Sequence, residues 1–254
     1  MWINEPAGMH HIEGAMCGLP ILYKNSGGVT EYCKDFGIEF NEENMLKANA
    51  IIFGPKDTPY ENGILYFKID FPNNYPFSPP KIGYFSTSRI RIHPNLYVGR
   101  SHNNFLGKVC LSSINTWSGP KWTTVMHIGS VLLSIQSLLT KDPLHNEPGF
   151  ENEIGKRNDY YNTIVEYDNY NHLIRRNGFD IHPEFHGFSE VIYNHLKSNK
   201  ESIIEKLEVL SEKYPKPTKI SLNVYGLMTI LEYPKLKEHI KELFESPNFK
   251  PNLI

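Results

Sequence analysis

Cysteine is scarce in this chain, with three in 254 residues, at positions 17, 33 and 110. They are too few and too odd in number for a disulfide framework, which points to a reducing compartment. Net charge is also missing: 26 Lys and Arg stand against 28 Asp and Glu, leaving -2. A field that weak recruits neither nucleic acid nor an anionic membrane, so protein is the partner class that remains. Long apolar runs are absent too. The best, 131–139, is interrupted by Ser134, Gln136 and Ser137 and falls far short of the ~20 residues a membrane-spanning helix needs. The opening MWINEPAGMHHIEG has neither a basic start nor an apolar stretch. No secretory signal or transit peptide is therefore read there, and the chain is expected in the cytoplasm or nucleus.

Ligand sets for metals are lacking as well. His10 and His11 are adjacent, with no further ligands at usable spacing. His182 and His186 stand at i and i+4, but His182 precedes Pro183 and no ligand-rich partner segment accompanies them. Polar surface is the reading for both pairs, and neither a metal nor an organic cofactor is expected.

What is present is a chain long enough for a core of about 150 residues with an appended part. Residues 1–37 are broken up by Gly8, Gly14, Gly18, Gly27, Gly28 and Gly37 and carry little periodic signal. The runs 45–54 and 63–71 have strand character, the second placing Ile64, Tyr66, Lys68 and Asp70 opposite Leu65, Phe67, Ile69 and Phe71, with a turn over 57–62. A third run, 81–85, follows Pro79-Pro80, which suits the start of a strand. Together these predict an antiparallel meander. After Trp122, Thr123 or Thr124 is the expected N-cap of a helix carrying Ile128, Val131, Leu132, Ile135, Leu138 and Leu139, which Pro143 stops. Residues 156–254 read as helical in three runs, 160–174, 188–210 and 236–244, broken at Asn177-Gly178 and at Tyr214-Pro215-Lys216-Pro217.

The stretch 93–151 organises the rest. Cys110 lies in Gly107-Lys108-Val109-Cys110-Leu111-Ser112, with His93-Pro94-Asn95 before it and Trp117 and Trp122 after it. A free cysteine is by default a small buried hydrophobe. A thiol that reacts needs partial exposure, and Gly107-Lys108 is compatible with an open, electropositive loop.

The order of motifs around Cys110 changes the odds. HPNLY, GKVCLS, TW-x-G, Trp122, SIQSL and NEPGFE follow one another, and upstream come Phe53-Gly54-Pro55, Asp57-Thr58-Pro59-Tyr60, Gly63, Phe71-Pro72, Tyr75-Pro76-Phe77 and Pro79-Pro80-Lys81. Over 38–155 this resembles the ubiquitin-conjugating enzymes, and among them the larger members with C-terminal extensions. The resemblance implies an α+β fold, a four-stranded antiparallel meander packed on a central helix, followed by a mainly helical extension. It divides the chain into a divergent segment 1–37, a catalytic core 38–155, and a region 156–254 holding the last core helices and the extension. The extension is expected to be separable, so that a chain ended near Arg176 keeps the chemistry of the thiol. The basic amphipathic helix with which the family opens is not found in 1–37.

The same resemblance assigns roles. Cys110 would carry ubiquitin or a ubiquitin-like modifier as a thioester, received from an activating enzyme and passed to a protein substrate's lysine or to a ubiquitin ligase. Cysteine suits this because its thiolate attacks well and the thioester stays reactive toward amines. Asn95 matches the residue that stabilises the oxyanion of aminolysis, although its amide would equally brace the local loop. Tyr97 and Asn146 occupy positions that assist the incoming amine, with His145 and Glu147 as neighbouring substitutes. Phe77, Pro79 and Thr124 fall at ligase-contact positions; Phe77 folded inward as a core plug is the alternative. Between Asn95 and Cys110 the chain spends fifteen positions where the family commonly spends about eight, an insertion within 98–106 that a polar surface loop tolerates. A papain-like protease is disfavoured because Cys110 lacks that family's Cys-Gly-x-Cys-Trp surroundings. The stronger rival is a catalytically silent variant serving as a scaffold, against which the retention of Cys110 and Asn95 speaks.

Overall fold

A computed structural model describes residues 36–99 and 105–249. His10, His11, Cys17, Cys33 and the missing basic helix all lie outside the described residues, as does the polar part of the insertion, 100–104.

Four strands form the predicted meander: β1 (Phe36–Phe40), β2 (Lys47–Phe53), β3 (Ile64–Asp70) and β4 (Lys81–Phe85). A short β5 (Leu106–Lys108) adds to β4, and the antiparallel order is β1-β2-β3-β4-β5. β1 begins inside the segment read as divergent. The register pairs Ile51 with Tyr66 and Ile52 with Leu65, so the alternation of side chains sorts the sheet into two faces. One face carries Ala50, Ile52, Leu65 and Phe67 toward α1 (Ile128–Leu138), whose Gly129 approaches the Phe36 ring. This is the central helix. It starts later than Thr123 or Thr124, because its cap is His127: the ring Nδ1 accepts from the Ser130 amide and the Ser130 hydroxyl answers the His127 amide. Met126 N donates to Thr123 O, so the threonines belong to the exposed turn before the helix.

The other face explains why β2 and β3 contain unbroken apolar runs: it is buried as well, by the C-terminal region. Tyr66 stacks on Phe185 at 4.0 Å and Phe53 on His195 at 4.1 Å. The Tyr66 hydroxyl donates to Asn177 O, and Asn177 Nδ2 donates to Ile64 O. Ile51, Phe53, Tyr66 and Phe85 are all buried. At about 1.5–3 kcal/mol per large side chain, uncovering these four costs roughly 6–12 kcal/mol, comparable with the ~5–15 kcal/mol net stability of a domain. This packing argues against the expected separability of the extension, which a chain ended near Arg176 would test.

That region is mainly helical. α2 (Lys156–Asp168) continues through a wide turn (Asn169–Ile174) into α3 (Arg175–Phe179). Asn177-Gly178 sits in this last turn, and the helix ends just after it at Phe179, so the expected break falls one residue later. Gly178 lets the turn pack closely on Leu196, since a Cβ there would stand 2.8 Å from Leu196 Cδ1 and push that side chain aside. α4 (Ser189–Lys213) buries Ile192, Leu196, Ile203, Leu207 and Leu210, and α5 (Tyr233–Glu245) buries Leu236, Ile240 and Phe244, each along one stripe. Between them, where the mainly helical reading placed only a break, lies a hairpin, β6 (Thr218–Leu222) and β7 (Leu227–Leu231). Among the described residues no helix is long and apolar enough to cross a membrane.

Candidate active site

Asn95 and Cys110 are joined through the backbone. Residues 95–97 run antiparallel to 108–110: Cys110 N donates to Asn95 O (2.9 Å), Tyr97 N donates to Lys108 O (3.0 Å), and Leu96 bridges Val109. Gly107 is required by this closeness, because a Cβ there would lie 1.6 Å from Tyr97 O. Asn95 Nδ2 then donates to Cys110 O at 2.7 Å. After the cysteine, Thr116 Oγ1 accepts from Leu111 N and lies 2.8 Å from Val109 O, holding the turn that follows.

His93 anchors the other end. Its Nδ1 accepts from Asn95 N (3.0 Å) and its Nε2 donates to Leu138 O (2.9 Å), tying the turn to the end of α1. Burial pushes its pKa down to about 3, with Arg91 adding to the shift and the Leu138 bond opposing it. At neutral pH the ring is uncharged and committed on both nitrogens, so it orients Asn95 and is no base.

The partial exposure that a reactive thiol needs, and with which Gly107-Lys108 is compatible, is not seen at Cys110 itself. Lys108 is exposed, but Cys110 is 2% exposed, because Val109 and Cys110 are drawn into the bridge with 95–97.

The supporting residues lie on a second loop, a turn over Pro143–Asn146. His145 Nε2 donates to Glu153 O at 2.9 Å, bracing its own loop, and Asn146 Nδ2 reaches Pro143 O at 3.4 Å. Glu147 accepts a hydrogen bond from the Tyr225 hydroxyl. Tyr97 stacks on a guanidinium, Arg91 Cζ lying 3.7 Å from its ring centre. The other face of Arg91 is covered by Tyr225 at 4.1 Å, and its terminal nitrogen donates to Pro94 O. Tyr60 and Tyr161 donate to Ile92 O (2.6 Å) and Arg91 O (2.9 Å). Sequence reasoning missed Arg91, Tyr161 and Tyr225; the Asn223 to Gly226 turn between two alternating runs was the signal available for the last.

The ligase-contact candidates form a separate surface. Phe77 is 76% exposed, so it is no core plug; Pro79 is half-buried and Thr124 exposed. Their two loops are clamped where Trp122 Nε1 donates to Pro76 O at 2.7 Å. His182 caps its own turn by accepting from Glu184 N, and His186 Nε2 donates to Ile181 O. Among the described residues no group of three or more His, Cys, Asp and Glu is arranged to hold a metal ion.

A family model described as ubiquitin-conjugating enzyme matches residues 28–170. Ubiquitin-conjugating enzyme E2 Z of Homo sapiens is 47% identical over 112 residues, 43% of this chain and 30% of that protein. Probable ubiquitin-conjugating enzyme protein 17 of Caenorhabditis elegans is 40% identical over 180 residues, 66% of this chain and 23% of that protein. The chain thus spans about a third or less of these curated relatives. A solved Toxoplasma gondii ubiquitin-conjugating enzyme E2 domain superposes with a TM-score of 0.41 at 24% identity, over 54% of this chain and 88% of that one.

Proposed function

Because the chain belongs to the ubiquitin-conjugating enzyme family, we propose that it accepts ubiquitin or a ubiquitin-like modifier on Cys110 and passes it to a substrate lysine or to a ligase. The Cys110 thiolate attacks the thioester of a charged activating enzyme, a new C–S bond forms, and the activating enzyme's thiol leaves. A neutral lysine amine then attacks the Cys110 thioester; the tetrahedral intermediate gives up its nitrogen proton to water, and the oxyanion collapses, expels the thiolate and leaves an amide. ATP is consumed in charging the activating enzyme and not on this chain. The cytosol or nucleus suits a free thiol used in this way.

The observation that supports this reading best is the pairing of 95–97 with 108–110, which sets the Asn95 amide on the Cys110 carbonyl at 2.7 Å. That bond supports Asn95 as a brace for the cysteine, with stabilisation of the oxyanion as its alternative role. Tyr97, His145, Asn146 and Glu147 are assigned to the approach of the amine, and Phe77, Pro79 and Thr124 to the ligase surface. Residues 38–155 carry the chemistry, while 156–254 complete the core and add the extension.

One observation favours the rival reading, a catalytically silent scaffold in the ubiquitin pathway: Cys110 is 2% exposed. Charging with ATP, activating enzymes and their modifiers, followed by non-reducing electrophoresis, decides between them. An adduct removed by reductant, lost in Cys110→Ala and replaced by a reductant-resistant ester in Cys110→Ser, is expected. No adduct with any activating enzyme and modifier pair establishes the scaffold. Loss of the adduct in a folded Cys17→Ala or Cys33→Ala protein moves the thioester off Cys110.

A further inference from the structure

We infer that Tyr225, supplied by the hairpin of the C-terminal region, is a positioning residue that holds the Asn95 turn paired with Cys110 and the loop carrying Glu147 in register for transfer. The inference rests on the thioester reading above. Tyr225 lies between β6 and β7 with φ 55, in the left-handed region that residues other than glycine, asparagine and aspartate rarely adopt. The hairpin tolerates that conformation while its flanks are anchored by buried Leu222, Leu227 and Leu231.

From that position one side chain reaches two loops. Its ring covers the Arg91 guanidinium at 4.1 Å, opposite Tyr97 at 3.7 Å, and Arg91 in turn donates to Pro94 O in the turn that presents Asn95. Its hydroxyl donates to the Glu147 carboxylate in the second loop. Burial and the neighbouring carboxylate both push the phenol's pKa up, so it remains a donor throughout the neutral range. A guanidinium held between two rings has little freedom to leave Pro94 O, and a flat π-face on each side suits arginine better than lysine. Two links therefore run from the extension to the site, one through Arg91 to the Asn95 turn and one through Glu147.

Three variants, with Glu147→Gln alone as the reference for the third, separate positioning from simple stabilisation. Tyr225→Phe keeps the ring on Arg91 and loses only the hydroxyl; Tyr225→Leu loses both; Tyr225→Phe combined with Glu147→Gln tests whether the hydroxyl acts through that carboxylate. The assay is thioester charging, then single-turnover discharge to free lysine across lysine concentrations, with a thermal melt of each protein. Displacing reacting groups slightly slows transfer without weakening docking, so charging is expected within about twofold of wild type. Maximal discharge should fall about tenfold in Tyr225→Leu and about threefold in Tyr225→Phe, at an unchanged half-saturating lysine concentration. The double variant should be no slower than Glu147→Gln alone. Wild-type discharge by Tyr225→Phe overturns the Glu147 link. Wild-type discharge by a folded Tyr225→Leu, or equal loss of charging and discharge in step with stability, overturns the positioning role. If Tyr225→Leu does not fold, Tyr225→Phe alone decides. Failure of the wild-type protein to charge at all refutes the thioester reading and takes this inference with it, which is distinct from a variant that charges and discharges normally.

Discussion

Asn95→Ala separates bracing from oxyanion stabilisation. Asn95 Nδ2 donates to Cys110 O at 2.7 Å, and both residues are buried. Removing the donor leaves that carbonyl unsatisfied, at about 1–3 kcal/mol. Asn95 Oδ1 is itself buried without a partner, and its removal relieves part of the cost, so about 1–2 kcal/mol is expected. For a chain of this size each kcal/mol moves Tm by roughly 2–4 °C, giving a fall of roughly 2–8 °C. Asn95→Asp should lose more, since it sets a carboxylate oxygen against a carbonyl oxygen. Discharge to lysine should slow by less than the ~10²-fold that a lost oxyanion donor costs, because the effect arrives through a displaced Cys110. Melting curves and single-turnover discharge measure both quantities. An unchanged Tm together with discharge slowed about 10²-fold or more would refute the brace and make Nδ2 a donor to the transition state.

Asp168 offers a pH test. It is buried, accepts from Ser88 Oγ at 2.9 Å, and its second oxygen has no partner; burial raises its pKa to about 7 against the Ser88 bond that lowers it. The native protein keeps this proton up to about pH 7 while the unfolded carboxyl releases it near 4, so native binds more protons in between. Stability from this group therefore falls as pH rises from about 4 to 7, by roughly 4 kcal/mol at most, and is flat above. Asp168→Asn should gain on wild type between pH 4.5 and pH 8; buried His93 and His172, lowered to about 3 and 4, titrate in both proteins and cancel. A pH-independent difference in Tm would show that Asp168 is ionised throughout. A chain ended at Arg176 loses Phe185, Phe188 and α4 from the sheet, and should be unfolded or insoluble by circular dichroism and sedimentation; a cooperative melt near the full-length Tm would contradict the packing argument.

The sequence alone determined whatever depends on neighbours a few residues apart. Alternation marked β2, β3 and β4, a helical stripe marked α1, α4 and α5, and ordered motifs singled out Asn95 and Cys110. His127 escaped as a cap because the usual capping residues, Thr123 and Thr124, stand just before it, and only the folded turn shows them facing solvent. The hairpin 218–231 alternates Ile220 and Leu222 with Lys219 and Ser221, but its strands are short and lie between two long helices, so local pattern did not outweigh its surroundings. The tertiary structure alone decided the rest. The unbroken apolar run Ile64-Leu65-Tyr66-Phe67 says that both faces are covered without saying by what, and Phe185 became the cover only through chain closure over more than a hundred residues. The burial of Cys110 and the Arg91 sandwich between Tyr97 and Tyr225 are of the same kind. Local periodicity specifies which side of an element is buried; which distant side chain buries it, and so which residues share a site, is settled by packing that no spacing along the chain encodes.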